Sequence, residues 1–129
     1  MASGFPAATG DVLTSAMFNG LVAYTINAQT GTTYTSVLTD SYQVLVTMSN
    51  ASANSFKIPT NASVAHPIGT VITVMNIGAG LTTISAVTPA TTTVLSVGAT
   101  AASPTLVQYR SAACIKTGTD TWYVVGGVA

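Results

Sequence analysis

HPIGTVITVMNIGAGLTTISAV, residues 66–87, is the stretch on which the fold turns. Thr70 to Asn76 alternates Val71, Thr73 and Met75 with Ile72, Val74 and Asn76, the period of two that a pleated backbone imposes. Branched apolar residues stand on both faces, which predicts a strand covered from both sides, as in the middle of a sandwich. Gly78-Ala79-Gly80 follows. Glycine reaches positive φ without steric cost, so the triplet predicts a tight reversal and a core hairpin. Leu81 to Val87 is the returning strand, with Leu81, Thr83, Ser85 and Val87 opposite Thr82, Ile84 and Ala86. The stretch contains no catalytic or ligand-binding pattern.

Outward from this pair, further short strands are expected at Leu21–Asn27, Gln43–Met48, Val94–Val97, Leu106–Arg110, Ala113–Thr117 and Thr121–Gly126. Ser55–Ile58, closed by Pro59, reads as a strand at an edge or a strand end, because proline cannot donate to a ladder. Tyr34 to Tyr42 reads as a loop with one helical turn near Thr39-Asp40. Gly118-Thr119-Asp120 joins the last two strands as a hairpin, in which Trp122, Val124 and Gly126 share one face. No helical pattern separates the strands, so parallel βαβ units are not expected. The prediction is an all-β chain: an antiparallel β-sandwich or jelly roll over residues 21–129, preceded by an arm or short helix over residues 1–20.

That N-terminal segment differs in character from the rest. Phe5-Pro6 favours an extended arm, and Thr14 can cap a short helix over Ser15 to Asn19, with Gly20 to end it. Met17, Phe18 and Leu21 then approximate helical spacing. Two expectations stand side by side: a helix packed on its own domain, or an arm docking on a neighbouring subunit through Phe5, Met17, Phe18 and Leu21.

Composition limits the function. Charged residues are 5% of the 129, against about 25% in an ordinary soluble domain, and the formal net charge is zero. Little electrostatic repulsion then opposes association, which favours a packed or oligomeric setting. Apolar residues at 48% exclude disorder, and no apolar run reaches the roughly 20 residues of a spanning helix, so no membrane partner is expected. The first twenty residues lack a basic start and an apolar run, so no signal peptide is expected either, and the sequons at Asn50 and Asn61 read as chance. Three bases spread along the chain make no basic stripe for nucleic acid.

Catalytic and cofactor chemistry finds equally little. A triad needs a base oriented beside a nucleophile, and His66, the sole histidine, precedes Pro67 with no supporting motif. Cys114, the sole cysteine, sits between Ala113 and Ile115, where a small buried hydrophobe is expected. The three aspartates, Asp11, Asp40 and Asp120, have no acidic neighbour in sequence for paired-carboxylate work. No metal or cofactor site is expected, and Gly78-Ala79-Gly80 lacks the lysine and helix start of a phosphate loop. Saccharide binding is the most credible ligand class, through Tyr24, Tyr34, Tyr42, Tyr109 and Tyr123, although strand placement favours packing for most of them.

The C-terminal order Gln108-Tyr109-Arg110-Ser111-Ala112-Ala113-Cys114-Ile115-Lys116, then Thr119-Asp120-Thr121-Trp122-Tyr123-Val124-Val125-Gly126, resembles an all-β module of tailed-bacteriophage virion proteins. Ile58-Pro59, Pro67-x-Gly69-Thr70 and Asn76-x-Gly78-Ala79-Gly80 are similar to the same module. The resemblance implies a structural part of a virion: a capsid decoration (cement) protein, a head spike or a tail-fibre domain. Such modules usually work as trimers, and the family pattern supplies no catalytic, metal or cofactor residues. The expected partners are two further copies and the major capsid protein or a tail protein. A fibre or spike tip that recognises a host-surface glycan is the alternative.

Overall fold

The computed structural model describes residues 23–97 and 101–129. β1 (Thr25–Gln29) lies in one sheet, and the chain then bends at Thr30-Gly31-Thr32 and crosses to a second sheet as β2 (Thr33–Thr35). A 3₁₀ turn over Leu38–Ser41 brings it back, and the circuit repeats: β3 (Val44–Met48) and β4 (Asn54–Ile58), then β5 (Val71–Asn76) and β6 (Thr82–Ala86). Each circuit stacks on the one before. β1 pairs with β3 and β3 with β5, all parallel, while β2 pairs with β4 and β4 with β6, also parallel. β7 (Thr93–Ser96), β8 (Thr105–Leu106), β9 (Ser111–Gly118) and β10 (Thr121–Gly126) complete the two sheets. Their orders are β1-β3-β5-β9-β10-β7 and β2-β4-β6-β8.

The architecture is therefore a sandwich of two mixed, largely parallel sheets, wired over its first three circuits like a short β-solenoid. This corrects the antiparallel jelly roll. Antiparallel pairing is confined to β5 with β9, β9 with β10, and β6 with β8 among the described residues. The expected core hairpin is also corrected, because β5 and β6 belong to different sheets. Asn76 decides the matter. Its fully buried side chain fills the bend, donating to Gly80 O and Leu106 O and accepting from the Gly78 N–H. A bend filled by an amide holds its two strands a sheet-to-sheet distance apart, so they cannot pair.

Gly78 and Gly80 have negative φ, so their role is not the one expected of a hairpin turn. They permit close stacking of one bend on another. A Cβ on Gly78 meets the backbone of Asn50 at collision distance, and one on Gly80 meets the Ser52 carbonyl. The Gly80 N–H donates to Asn50 O at 2.8 Å, and Asn50 Nδ2 reaches down to Thr30 O at 2.8 Å, so the three bends form a hydrogen-bonded stack.

Between the sheets lie Val44, Val46, Met48, Phe56, Ile58, Ile72, Val74, Ile84, Leu106, Cys114, Trp122 and Val124, all buried. Alternation placed most of these correctly, Trp122 and Cys114 included. Several expectations need correction. Of the two readings of Ser55–Ile58, the strand end holds and the edge does not: Pro59 follows the end of β4, which is flanked by β2 and β6. β5 is buried on the Ile72–Val74–Asn76 side alone. Tyr34 lies in a strand rather than a loop. The Leu106–Arg110 strand stops after Leu106, and Tyr109 turns the chain at φ 67°. Tyr24, Tyr109 and Tyr123 are exposed rather than packed. The expected arm or helix, with Phe5, Met17, Phe18 and Leu21, lies outside the described residues.

Candidate functional site

Strand register sorts the outer surfaces into two unlike faces. On the six-stranded sheet, Ile26, Leu45, Thr73, Ala113 and Val125 form one cross-strand row. Val71, Ile115, Tyr123 and Leu95 form a second, and Ala28, Thr47, Met75 and Ser111 a third. No charged side chain stands in these rows. Ile26, Val71, Leu95, Tyr123 and Val125 are between 38% and 57% exposed, which is high for large apolar groups inside ladders. The other sheet presents Thr33, Ser55, Thr83 and Thr105 in one row and Thr35, Lys57 and Ser85 in the next, with Lys57 Nζ donating to Ser85 Oγ at 2.9 Å. Both faces arise from one alternation. The inward positions are mainly apolar in both sheets; the outward positions are hydroxyls and Lys57 in one, and mainly aliphatics with Thr47, Thr73, Ser111 and Tyr123 among them in the other.

Inside the sandwich runs a polar seam that sequence reasoning missed. Lys116 is only 2% exposed, because it shares the inward face of β9 with Ala112 and Cys114 and pairs with Trp122. Its Nζ donates to Asn61 Oδ1 at 2.6 Å and to His66 O at 2.7 Å, 6.0 Å from the centre of the Trp122 ring. Burial pulls the Lys116 pKa down, and the charge of Asp120 opposes the shift. His66 Nε2 lies 3.1 Å from Ser36 Oγ, and its ring packs edge-on to Trp122. Burial, followed by the Lys116 charge, lowers the His66 pKa.

Ser36 and His66 are a serine–histidine pair without the rest of a triad. Both are at most 2% exposed, so no substrate reaches the hydroxyl, and His66 Nδ1 has no hydrogen-bond partner to orient it. Asp40, the nearby carboxylate, is committed elsewhere: it accepts from the Tyr34 hydroxyl at 2.6 Å, from Asn27 Nδ2 and from the Val37 N–H. Burial and this carboxylate push the Tyr34 phenol up to about 12. Asp40 closes a cleft of about 450 Å³ lined by Thr25, Ile26, Asn27, Thr39, Tyr42 and Val44. Burial pushes the Cys114 thiol up to about 12, which leaves it unreactive. Among the described residues, no three His, Cys, Asp or Glu side chains gather as metal ligands.

Geometry therefore brings together an apolar sheet face, a buried Lys116 seam and one polar cleft. Only the lysine's place was open to period-two reasoning, since Ala112, Cys114 and Lys116 alternate; the cleft joins two stretches, residues 25–27 and 39–44. Compared with known proteins, the chain matches no protein family, no curated protein and no solved structure.

Proposed function

We propose that this chain is a structural subunit of a tailed-phage particle, a capsid decoration protein that assembles as a homotrimer and stabilises the head. The observation that carries the reading is the uncharged outer face of the six-stranded sheet. With strands about 4.8 Å apart and outward residues about 6.8 Å apart along a strand, the positions of its three rows cover roughly 420 Å² in projection. That is within the range of the largest patch a monomer leaves bare, a patch that is often functional. Apolar faces of this size lower their free energy by covering one another. Without charges in the rows, identical copies meet without like-charge repulsion. A stable complex buries about 800 Å² per partner, so rim residues such as Ile68, 65% exposed just ahead of β5, complete the contact. The virion assignment comes from the sequence resemblance, and the sheet face supplies the means of assembly.

Val125→Lys places a charge in the central row while leaving the buried face of β10 untouched. The expected result is a folded monomer by sedimentation, against an oligomer for the unaltered chain. A monomer in both overturns the self-assembly reading. Counting copies per particle then decides the location, with hundreds expected for a head protein.

A glycan-binding tip is the second reading, and the cleft is the observation in its favour, since Thr25 and Thr39 present exposed hydroxyls beside the Tyr42 ring. The exposed tyrosines do not favour it. Tyr24 precedes β1 and Tyr109 hydrogen-bonds to Asn76 at the far end of the parallel β5, so they stand at opposite ends of the sandwich.

A further inference from the structure

The geometry points to a covalent cross-link within this chain: an isopeptide bond between Lys116 Nζ and the side-chain carbonyl carbon of Asn61, formed with Asp120 as the proton carrier. The two groups are already in contact across 55 residues of sequence, with Nζ 2.6 Å from Oδ1. A C=O bond of about 1.2 Å puts Cγ roughly 3–3.8 Å from the nitrogen. That overlaps the separation of about 3–3.5 Å at which bound groups are poised to react.

Three further features suit the chemistry. The amine must be unprotonated to attack, and a desolvated lysine is the usual way proteins obtain one. Lys116 is buried against the Trp122 ring, and its partners are an amide oxygen and a backbone carbonyl rather than a carboxylate. Its backbone is pinned on both sides, since the Lys116 N–H donates to Thr70 O and its carbonyl accepts from the Gly69 N–H. Asp120 sits on the Asn61 side of the pair, where its Oδ1 accepts from the Asn61 N–H at 2.8 Å and from the Thr92 hydroxyl. Asp120 influences Lys116 electrostatically without touching Nζ in the resting fold, so it takes the proton as Nζ moves onto Cγ and returns it to the leaving nitrogen.

The step balances without another reactant. Nζ, as –NH₂, adds to Cγ; the Cγ–Nδ2 bond breaks; one proton passes from Nζ to Nδ2 by way of Asp120, and ammonia leaves. The product is a secondary amide that ties the loop between β4 and β5 to β9. A chain closed in this way cannot open its sandwich fully, a property suited to a part under mechanical load, though the inference does not depend on the virion reading.

Intact-mass measurement on the purified full chain is the test, after incubation in mildly alkaline buffer. The expected mass is that of the sequence less one ammonia. Trypsin cuts after Lys57, Arg110 and Lys116 in an unlinked chain. The linked chain instead yields a branched species, residues 58–110 joined to 111–129, because acylated Lys116 resists cleavage. Lys116→Met is expected to retain full mass, and Asp120→Asn to link far more slowly. Full mass in the unaltered chain overturns the proposal and leaves a hydrogen bond alone. Ammonia lost with peptides unbranched, as from a succinimide, overturns it too. Rapid linkage in Asp120→Asn overturns the part given to Asp120.

Discussion

His66 shows what a single buried ring does to the stability of the whole. Its Nε2 faces Ser36 and its Nδ1 faces no partner, so protonation inside the fold strands a charge away from water. Burial is the main cause that disfavours this charge, Lys116 adds repulsion wherever it carries its proton, and Asp40 partly offsets it. The folded pKa is therefore below the ordinary 6.5, at which the unfolded chain takes up its proton. Between the folded value and 6.5 the unfolded state holds more protons, so stability falls as pH falls through that window. The urea midpoint of the unaltered chain is expected to decline on acidification below pH 6.5, and that of His66→Phe to decline less over the same window. A decline of equal size in both would assign the effect to other groups. His66 was legible only as a lone histidine ahead of a proline. Ser36, Lys116 and Trp122 reach it from three separate segments, and no local pattern announces such a meeting.

Among the elements, the bends carry the constraint. Gly78 and Gly80 lie against the backbone of the bend below, whereas Gly31, at the outermost bend, has open space around its Cβ position. Gly80→Ala is expected to cost about 1–3 kcal/mol, as overpacking against rigid backbone does. Gly31→Ala is expected to change the denaturation midpoint little, since nothing stands within collision distance. Equal effects would mean that the stack of bends relaxes freely. Strand positions along β3, β5, β6 and β10 were legible because burial on one side writes a period of two into any strand. Strand direction was not. Parallel and antiparallel partners impose the same alternation, and Gly78-Ala79-Gly80 serves a hairpin or a crossing between sheets equally well. What separates them is Asn76, whose side chain occupies the bend, and an asparagine before a glycine-rich turn signals either.

For the whole molecule, the proposed assembly face rests on apolar contact, and salt screens charges rather than apolar area. The oligomer is expected to sediment unchanged from low to molar sodium chloride. Dissociation on raising salt would show that Lys57, Arg110 or Asp120 governs assembly instead. The composition announced such a surface, but only strand register shows that the large exposed aliphatics gather on one sheet while the other presents hydroxyls and Lys57. One detail of the sheet order bears on how the chain reaches this state. Among the described residues, β7 joins the six-stranded sheet solely through β10, Thr93 to Ser96 lying beside Thr121 to Val124. During synthesis the three parallel circuits can stack as they emerge, each needing only the strand before it. β7 must wait, already made but unplaced, until Thr121 to Gly126 emerge. β10 then pairs with β9 on one side and seats β7 on the other, so both strands join the sheet in one closing step rather than by gradual accretion.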